Sequence, residues 1–295
     1  MNKLALISIG IATFLSRVIG QWSEVFVNGN VIFRGQDSWY HLRLVQVLIH
    51  NFPAYLHNDY FVNPLGQPQV GYPPLLTYLI AIPGLILSEH AMEVYAALLP
   101  PVFAALTVII VYFLSKEILH NKTFALIAAF LVGILPSQFF QKTLLGFTDH
   151  HFLEVFLVSL SLLLLLKLPK SPWNIAFLGL TLGALVWTWT GAGYIILALT
   201  LAVIARLYQL RLKKKSITNL SLGFSVAILI ALLMFLPTSK YNVAATENAL
   251  CLAVGVIVPL AFLGLTIGIR DMRVFTTATA VSGIALLVIA LRLLP

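Results

Sequence analysis

The chain has 295 residues, of which 60% are hydrophobic and 9% charged, with a mean hydropathy of +0.98 and a net charge of +8. A soluble domain carries about 25% charged residues, so this composition excludes water as the main solvent. It also excludes nucleic acid as a partner, because the basic residues stand in short clusters between apolar runs, where membrane proteins carry their cytoplasmic loops. The apolar runs fall at residues 4–20, 92–115, 123–140, 152–166, 173–188, 193–208, 220–236, 249–269 and 274–291. Each is near the ~20 residues that cross a hydrocarbon core of about 30 Å as a helix. None alternates with the period of two that a membrane β-barrel requires. The expected fold is therefore all-α, a polytopic transmembrane bundle of about nine spans forming one domain over residues 1–295.

Residues 4–20 read as a retained first span, since no small-x-small cleavage site precedes Trp22. Residues 74–87 are apolar too, but the segment is short and holds Pro83-Gly84, which suits a re-entrant or interfacial helix. With the N-terminus inside, Lys116, Lys122, Lys167, Arg206, the lysines at 213–215 and Arg273 all face the cytoplasm. The loops at 21–91, 141–151 and 237–248 then share the opposite, non-cytoplasmic face of the cell membrane, and each carries acidic residues. The first is long and rich in Pro, Gly, Asn and aromatics, and ordered loops of that length are usually functional.

Three acidic positions stand out in these loops. Asp37, in Gly35-Gln36-Asp37-Ser38-Trp39-Tyr40-His41-Leu42-Arg43, either caps a helix or offers a carboxylate to a metal or an acceptor group. Asp149, His150, His151 and Glu154 put four ionisable groups within six residues at the edge of hydrocarbon, a costly placement that marks a functional site. Asp149 and His151 alternate, so in a turn they face one side and can chelate one ion, with Glu154 one helical turn beyond His151. Carboxylates with an imidazole suit Mn²⁺ or Mg²⁺, and the imidazole tilts the preference toward Mn²⁺. Glu247, in an otherwise ordinary loop, gains interest from sharing a face with Asp37 and Asp149. Trp187-Thr188-Trp189 reads as an interfacial aromatic belt, and Arg292 as a snorkelling or phosphate-holding side chain. The single cysteine, Cys251, excludes a multi-thiolate metal site. Walker, dinucleotide-binding and HExxH signatures are absent, so ATP hydrolysis, hydride transfer and zinc proteolysis lack their usual marks.

Taken in order, Asp37-Ser38-Trp39-Tyr40-His41-Leu42-Arg43, Asn63-Pro64-Leu65-Gly66, Tyr72-Pro73-Pro74-Leu75 and Gly146-x-x-Asp149-His150-His151-x-x-Glu154 resemble the catalytic subunit of oligosaccharyltransferase. That resemblance implies a GT-C type membrane glycosyltransferase, moving a glycan from a polyprenyl pyrophosphate carrier to the Asn of an acceptor polypeptide. It implies that Asp37 and Glu247 engage the acceptor amide and that Asp37, Asp149, His151 and Glu247 bind the metal. It places His150, Trp189 and Arg292 at the carrier's phosphates. The family's Trp-Trp-Asp-Tyr-Gly motif, which reads the sequon's hydroxyl residue, is not found in residues 1–295, so the expectation is either that a separate subunit supplies the sequon-reading part or that this is a truncated or divergent member. Two other readings stay open. A GT-C transferase using polyprenyl-monophosphate sugars would usually place an acidic pair in the first loop. A non-catalytic lipid-glycan-binding or transport protein would set its ionisable residues at the bilayer midplane.

Overall fold

In hydrocarbon every backbone N–H and C=O must be paired within the chain, so an apolar run of span length folds as a helix. The computed structural model describes residues 2–61, 71–168, 171–269, 271 and 273–277. In chain order these form α1 (Asn2–Val18), a 3-10 turn (Ile19–Gln21), α2 (Trp22–Val25), β1 (Phe26–Val27), β2 (Asn30–Val31), α3 (Gln36–His50), α4 (Leu75–Gly84), α5 (Glu89–Leu119) and α6 (Lys122–Ile134). There follow α7 (Gln138–Gln141), α8 (His151–Lys167), α9 (Pro172–Val186), α10 (Ala192–Leu212), α11 (Thr218–Phe235), a 3-10 turn (Leu236–Tyr241) and α12 (Ala245–Gly268).

Five of the described helical stretches are long and apolar enough to cross a membrane: Lys3–Val25, Glu89–Leu119, Ala192–Leu212, Thr218–Tyr241 and Ala245–Gly268. Large apolar side chains point outward, with Ile86 89% and Ile267 75% exposed, which in water would be an aggregation hazard and in lipid is the favoured arrangement. The chain is an integral membrane protein of all-α class. The expected spans at 123–140, 152–166 and 173–188 are the shorter helices α6, α8 and α9. Most of the expected span at 274–291, and Arg292 with it, lies outside the described residues. The apolar stretch at 74–87 is the ten-residue α4, about 15 Å long and too short to cross.

Two boundaries differ from expectation for local reasons. The helix expected to reach residue 140 stops at Ile134, because Leu135 precedes Pro136 and is driven to extended backbone, with ψ 133°. Ser137 then caps α7 by accepting from the Phe140 N–H. The carbonyl of Gly133, freed at that helix end, accepts from Arg17 Nη1 at 2.7 Å, while Arg17 Nε donates to Thr143 Oγ1 at 2.8 Å. At the other end of the chain, α12 begins at Ala245, so Glu247 lies in its first turn rather than in a loop. A carboxylate there complements the helix dipole.

The helices group into two compact units. The first comprises Met1–Leu166 with Trp187–Thr190 and Thr238–Val243. Within it α1, α5 and α6 pack together, and Leu6 and Ile9 press on a core of Val108, Tyr112, Ala125 and Ala129. The first loop holds a tight hairpin pairing Phe26 with Val31, turned by Asn28 (φ 50°) and Gly29 (φ 79°). Two positive φ angles are what a type I′ turn demands, and Asn-Gly meets that demand at least cost. The second unit comprises Lys167–Val186, Gly191–Pro237 and Ala244–Pro295. Within it α9 packs on α11, and α10 and α11 on α12. Gly179 and Gly183, four apart on α9, form a small-xxx-small face that admits α11 closely. Arg211 donates to the Thr266 carbonyl at 2.9 Å and to that of Ile269, closing the C-terminal end of α12.

Candidate metal and substrate site

The site lies in the first unit and is built from three segments of sequence. At Gly35 (φ 81°) the chain turns into α3, whose first turn carries Asp37. His41 is four residues on and so shares its face, and His41 is buried while Asp37 is exposed. The second segment is the turn after α7. Gly146 has φ 77°, and a Cβ there would meet Val25 Cγ2 at 3.0 Å. The Gly146 carbonyl accepts from the Arg34 N–H (2.8 Å) and its N–H donates to the Ala97 carbonyl (3.0 Å), while Thr148 Oγ1 donates to the Ala96 carbonyl (2.9 Å). These long-range bonds set Asp149 beside α3. The third segment supplies Tyr72, whose hydroxyl donates to Asp37 Oδ1 at 2.9 Å. The Tyr72 ring lies 4.6 Å from His41 and 5.6 Å from His150, between centroids.

Asp149 is fully buried at the centre of this group. Its Oδ1 accepts from the His150 N–H at 2.7 Å and stands 2.6 Å from His150 Nδ1 and 3.4 Å from His41 Nε2. Its Oδ2 faces His151 Nε2 at 3.5 Å and Lys142 Nζ at 3.9 Å. Burial alone would push the Asp149 carboxyl up, but His150, His41 and His151 outweigh it and hold the group below the usual carboxylate range. For His41 the balance is reversed: burial pushes the imidazole down, and Asp149 only partly offsets it. Burial and the bond to Asp37 push the Tyr72 phenol up. Tyr72 therefore stays a neutral donor to Asp37.

The residues fit a divalent cation. Asp149 Oδ2 and both ring nitrogens of His41 are buried without a hydrogen-bond partner, a state that polar atoms in a folded interior rarely keep. His41, Asp149 and His150 each offer one ligand atom within 4.8 Å of the others, and so do His150, His151 and Glu154. A carboxylate with imidazoles is a donor set for a borderline divalent ion. The expected Asp149 and His151 pair is thus brought together, with Asp37 linked to it through Tyr72 and His41. Trp189 lies in the same unit, in the turn Trp187–Thr190, which is held by the Leu75 N–H donating to the Trp187 carbonyl at 2.8 Å. Glu247 lies in the second unit, half-buried in the first turn of α12. His41, able to act as a ligand, and the bridging Tyr72 belong to the sequence motifs but are not among the site residues expected from them. The helical offset of His41 from Asp37 was the available signal.

A clamp in the first loop joins Arg43, Tyr40 and Asp59. Arg43 grips the buried Asp59 with Nη1 to Oδ2 at 2.5 Å and Nη2 to Oδ1 at 2.9 Å, and Tyr40 adds its hydroxyl at 2.6 Å. Burial pushes the Asp59 carboxyl up, but these donors with the Phe61 N–H hold it below its usual range. Nearby, the Tyr55 hydroxyl donates to the Tyr72 carbonyl at 2.9 Å. Arg43→Ala is expected to cost about 2 kcal/mol, less than orphaning a wholly buried pair because Arg43 is 30% exposed. Thermal melting would show the loss, and limited proteolysis would show faster cleavage between residues 51 and 61.

Residues 7–293 match the family model described as oligosaccharyl transferase STT3, N-terminal. The chain is 39% identical over 170 residues to dolichyl-phosphooligosaccharide-protein glycotransferase 1 of Archaeoglobus fulgidus, covering 56% of this chain and 27% of that one. It is 25% identical over 269 residues to dolichyl-monophosphooligosaccharide-protein glycotransferase AglB of Haloferax volcanii, covering 81% and 25%. A crystal structure of the Archaeoglobus fulgidus oligosaccharyltransferase, tethered with an acceptor peptide containing the NVT sequon, superposes with a TM-score of 0.85 at 26% identity, covering 100% of this chain and 38% of that one. The same archaeal enzyme in complex with Zn and sulfate gives a TM-score of 0.81 at 26% identity, covering 98% and 40%. The chain therefore spans about a quarter of the length of these curated relatives. Its sequence, its helical architecture and its order of motifs place it in the oligosaccharyl transferase STT3 family.

Proposed function

We propose that this chain carries the metal site of a membrane oligosaccharyltransferase, which moves a glycan from a polyprenyl phosphate or pyrophosphate carrier to the amide nitrogen of an acceptor asparagine. The observation that supports this most is the convergence of Asp37 and Asp149 around Tyr72 and the histidines in a chain of this family. Residues 1–295 act as one transmembrane domain, with the site on the non-cytoplasmic face.

An amide nitrogen is a poor nucleophile because its lone pair is delocalised. Asp37 is assigned to accept its hydrogens and align it for in-line attack. The Tyr72 hydroxyl bond to Asp37 holds that carboxylate in one orientation. Asp37, Asp149 and His151 are assigned to hold Mn²⁺ or Mg²⁺, with the imidazole favouring Mn²⁺. When bound, the ion supplies charge that offsets the negative charge growing on the departing phosphate. His150 and Trp189 are assigned to the carrier's phosphates. Lys142, close to Asp149 Oδ2, adds a fixed cation on that side.

Both carrier types belong in the test, since the name of the Haloferax volcanii relative specifies a monophosphate. The purified chain is incubated with dolichyl phosphate-linked or pyrophosphate-linked glycan and an Asn-Val-Thr peptide. Glycopeptide is expected with Mn²⁺ and is expected to vanish with EDTA. Product formed equally well without metal would overturn the assignment.

A further inference from the structure

We infer that Glu154 is a positioning residue for the metal site, fixing the His151 ring so that Nε2 is presented to the Asp149 carboxylate. This inference rests on the metal role proposed for Asp149 and His151. His151 is the first residue of α8, and Glu154, three positions on, lies on the same helix face. Glu154 Oε2 stands 3.0 Å from His151 Nδ1. An ionised carboxylate can only accept, so the hydrogen of a neutral imidazole is placed on Nδ1 and the lone pair on Nε2. Nε2 faces Asp149 Oδ2 at 3.5 Å, and that oxygen is buried with no hydrogen-bond partner. Two lone pairs aimed at each other repel unless a cation lies between them. Two atoms sharing one ion at bond lengths of about 2.1 Å and a right angle stand about 3 Å apart, close to the observed separation.

The pair is also reachable from outside. A cavity of about 230 Å³, lined by Gln138, Phe139, Lys142, His151, Glu154 and Val155, opens beside it. Asp149 is sealed on its other side by His41 and His150, so His151 is the ligand that borders this opening. A ring on an open edge has freedom to turn away, and a carboxylate on its far nitrogen removes that freedom. Metal-bound histidines commonly carry such a partner, whose loss costs about 10–100-fold in metal affinity. The competing reading is an ordinary ion pair on a helix surface, with both ring nitrogens protonated and neither able to bind metal.

The test is Mn²⁺ binding to the purified full chain, followed by the electron paramagnetic resonance of free Mn²⁺ and by the imidazole nitrogen coupling of the bound ion. Glu154→Ala is expected to weaken binding about 10–100-fold and to reduce the nitrogen coupling. Glu154→Gln, whose amide oxygen still accepts from Nδ1, is expected to bind within about threefold of the native chain. Native affinity in Glu154→Ala would overturn the inference, and so would a loss in Glu154→Gln equal to that in Glu154→Ala. If Glu154→Ala does not fold, Glu154→Asp, one methylene too short to reach Nδ1, takes its place with the same expected weakening. A native chain that binds no Mn²⁺ would instead overturn the metal reading on which the inference rests.

Discussion

Asp149→Ala is expected to bring Mn²⁺-dependent glycan transfer down to background and to weaken Mn²⁺ binding by more than ~100-fold, since a ligand matters at least as much as its supporting shell. No other side chain stands where its carboxylate does. Both oxygens are engaged at once, Oδ1 toward His41 and His150 and Oδ2 toward His151 and Lys142. Taking it away removes the carboxylate whose charge offsets that of the ion and leaves the Lys142 cation nearby. Folding is a separate matter, because backbone bonds from Gly146 and the Thr148 hydroxyl hold the turn alongside the Asp149 bond to the His150 N–H, which an asparagine oxygen can still accept. Asp149→Asn, equal in shape but uncharged, should therefore melt close to the native chain and still lose metal. Transfer rate, Mn²⁺ binding and melting temperature measured on both variants separate the two effects. Native turnover in Asp149→Ala would remove the metal site from the mechanism.

Gly179→Leu is expected to destabilise the second unit strongly. A Cβ at Gly179 would lie 2.7 Å from the Ala227 carbonyl oxygen and 2.7 Å from Ile230 Cβ. Neither atom is the free end of a flexible side chain, so α9 and α11 must separate. Gly183 is more forgiving, because its tightest neighbour is the Met234 sulfur, which can swing aside. Overpacking a close interface costs about 1–3 kcal/mol, and the backbone contact puts Gly179→Leu at or above the top of that range. Leu180→Ala on the neighbouring, 48% exposed position is the control and should change little. Thermal unfolding in detergent provides the comparison, and equal melting of the two variants would refute the close-packing account.

Much of this fold is written in local pattern. The runs at 92–115, 193–208, 220–236 and 249–269 fall on α5, α10, α11 and α12, because satisfying the backbone in lipid is a requirement each segment meets by itself. The ending of α6 at Ile134 was equally local, since Pro136 stands in plain view, yet the apolar residues beyond it argued for a longer helix. Asn28-Gly29 and the Gly179/Gly183 spacing are local patterns of the same kind. Charge at the membrane edge singled out Asp37, Asp149 and His151, since ionisable groups are costly there. It was silent about His41 and about the Asp59 clamp, whose carboxylate is just another loop charge until Arg43 and Tyr40 close on it.

Composition and the spacing of apolar runs were enough to specify the solvent, the helical class and which polar residues were too expensive to be incidental. The meeting of Asp37 with Asp149 was decided elsewhere, by bonds such as Thr148 to Ala96, Arg34 to Gly146 and Tyr72 to Asp37. Contacts of that kind join residues far apart along the chain and depend on how helices stack, so they leave no period in the order of amino acids. Helix formation answers to neighbours three or four residues away, whereas the grouping of His41 with Asp149 and His150 exists only once those helices have packed.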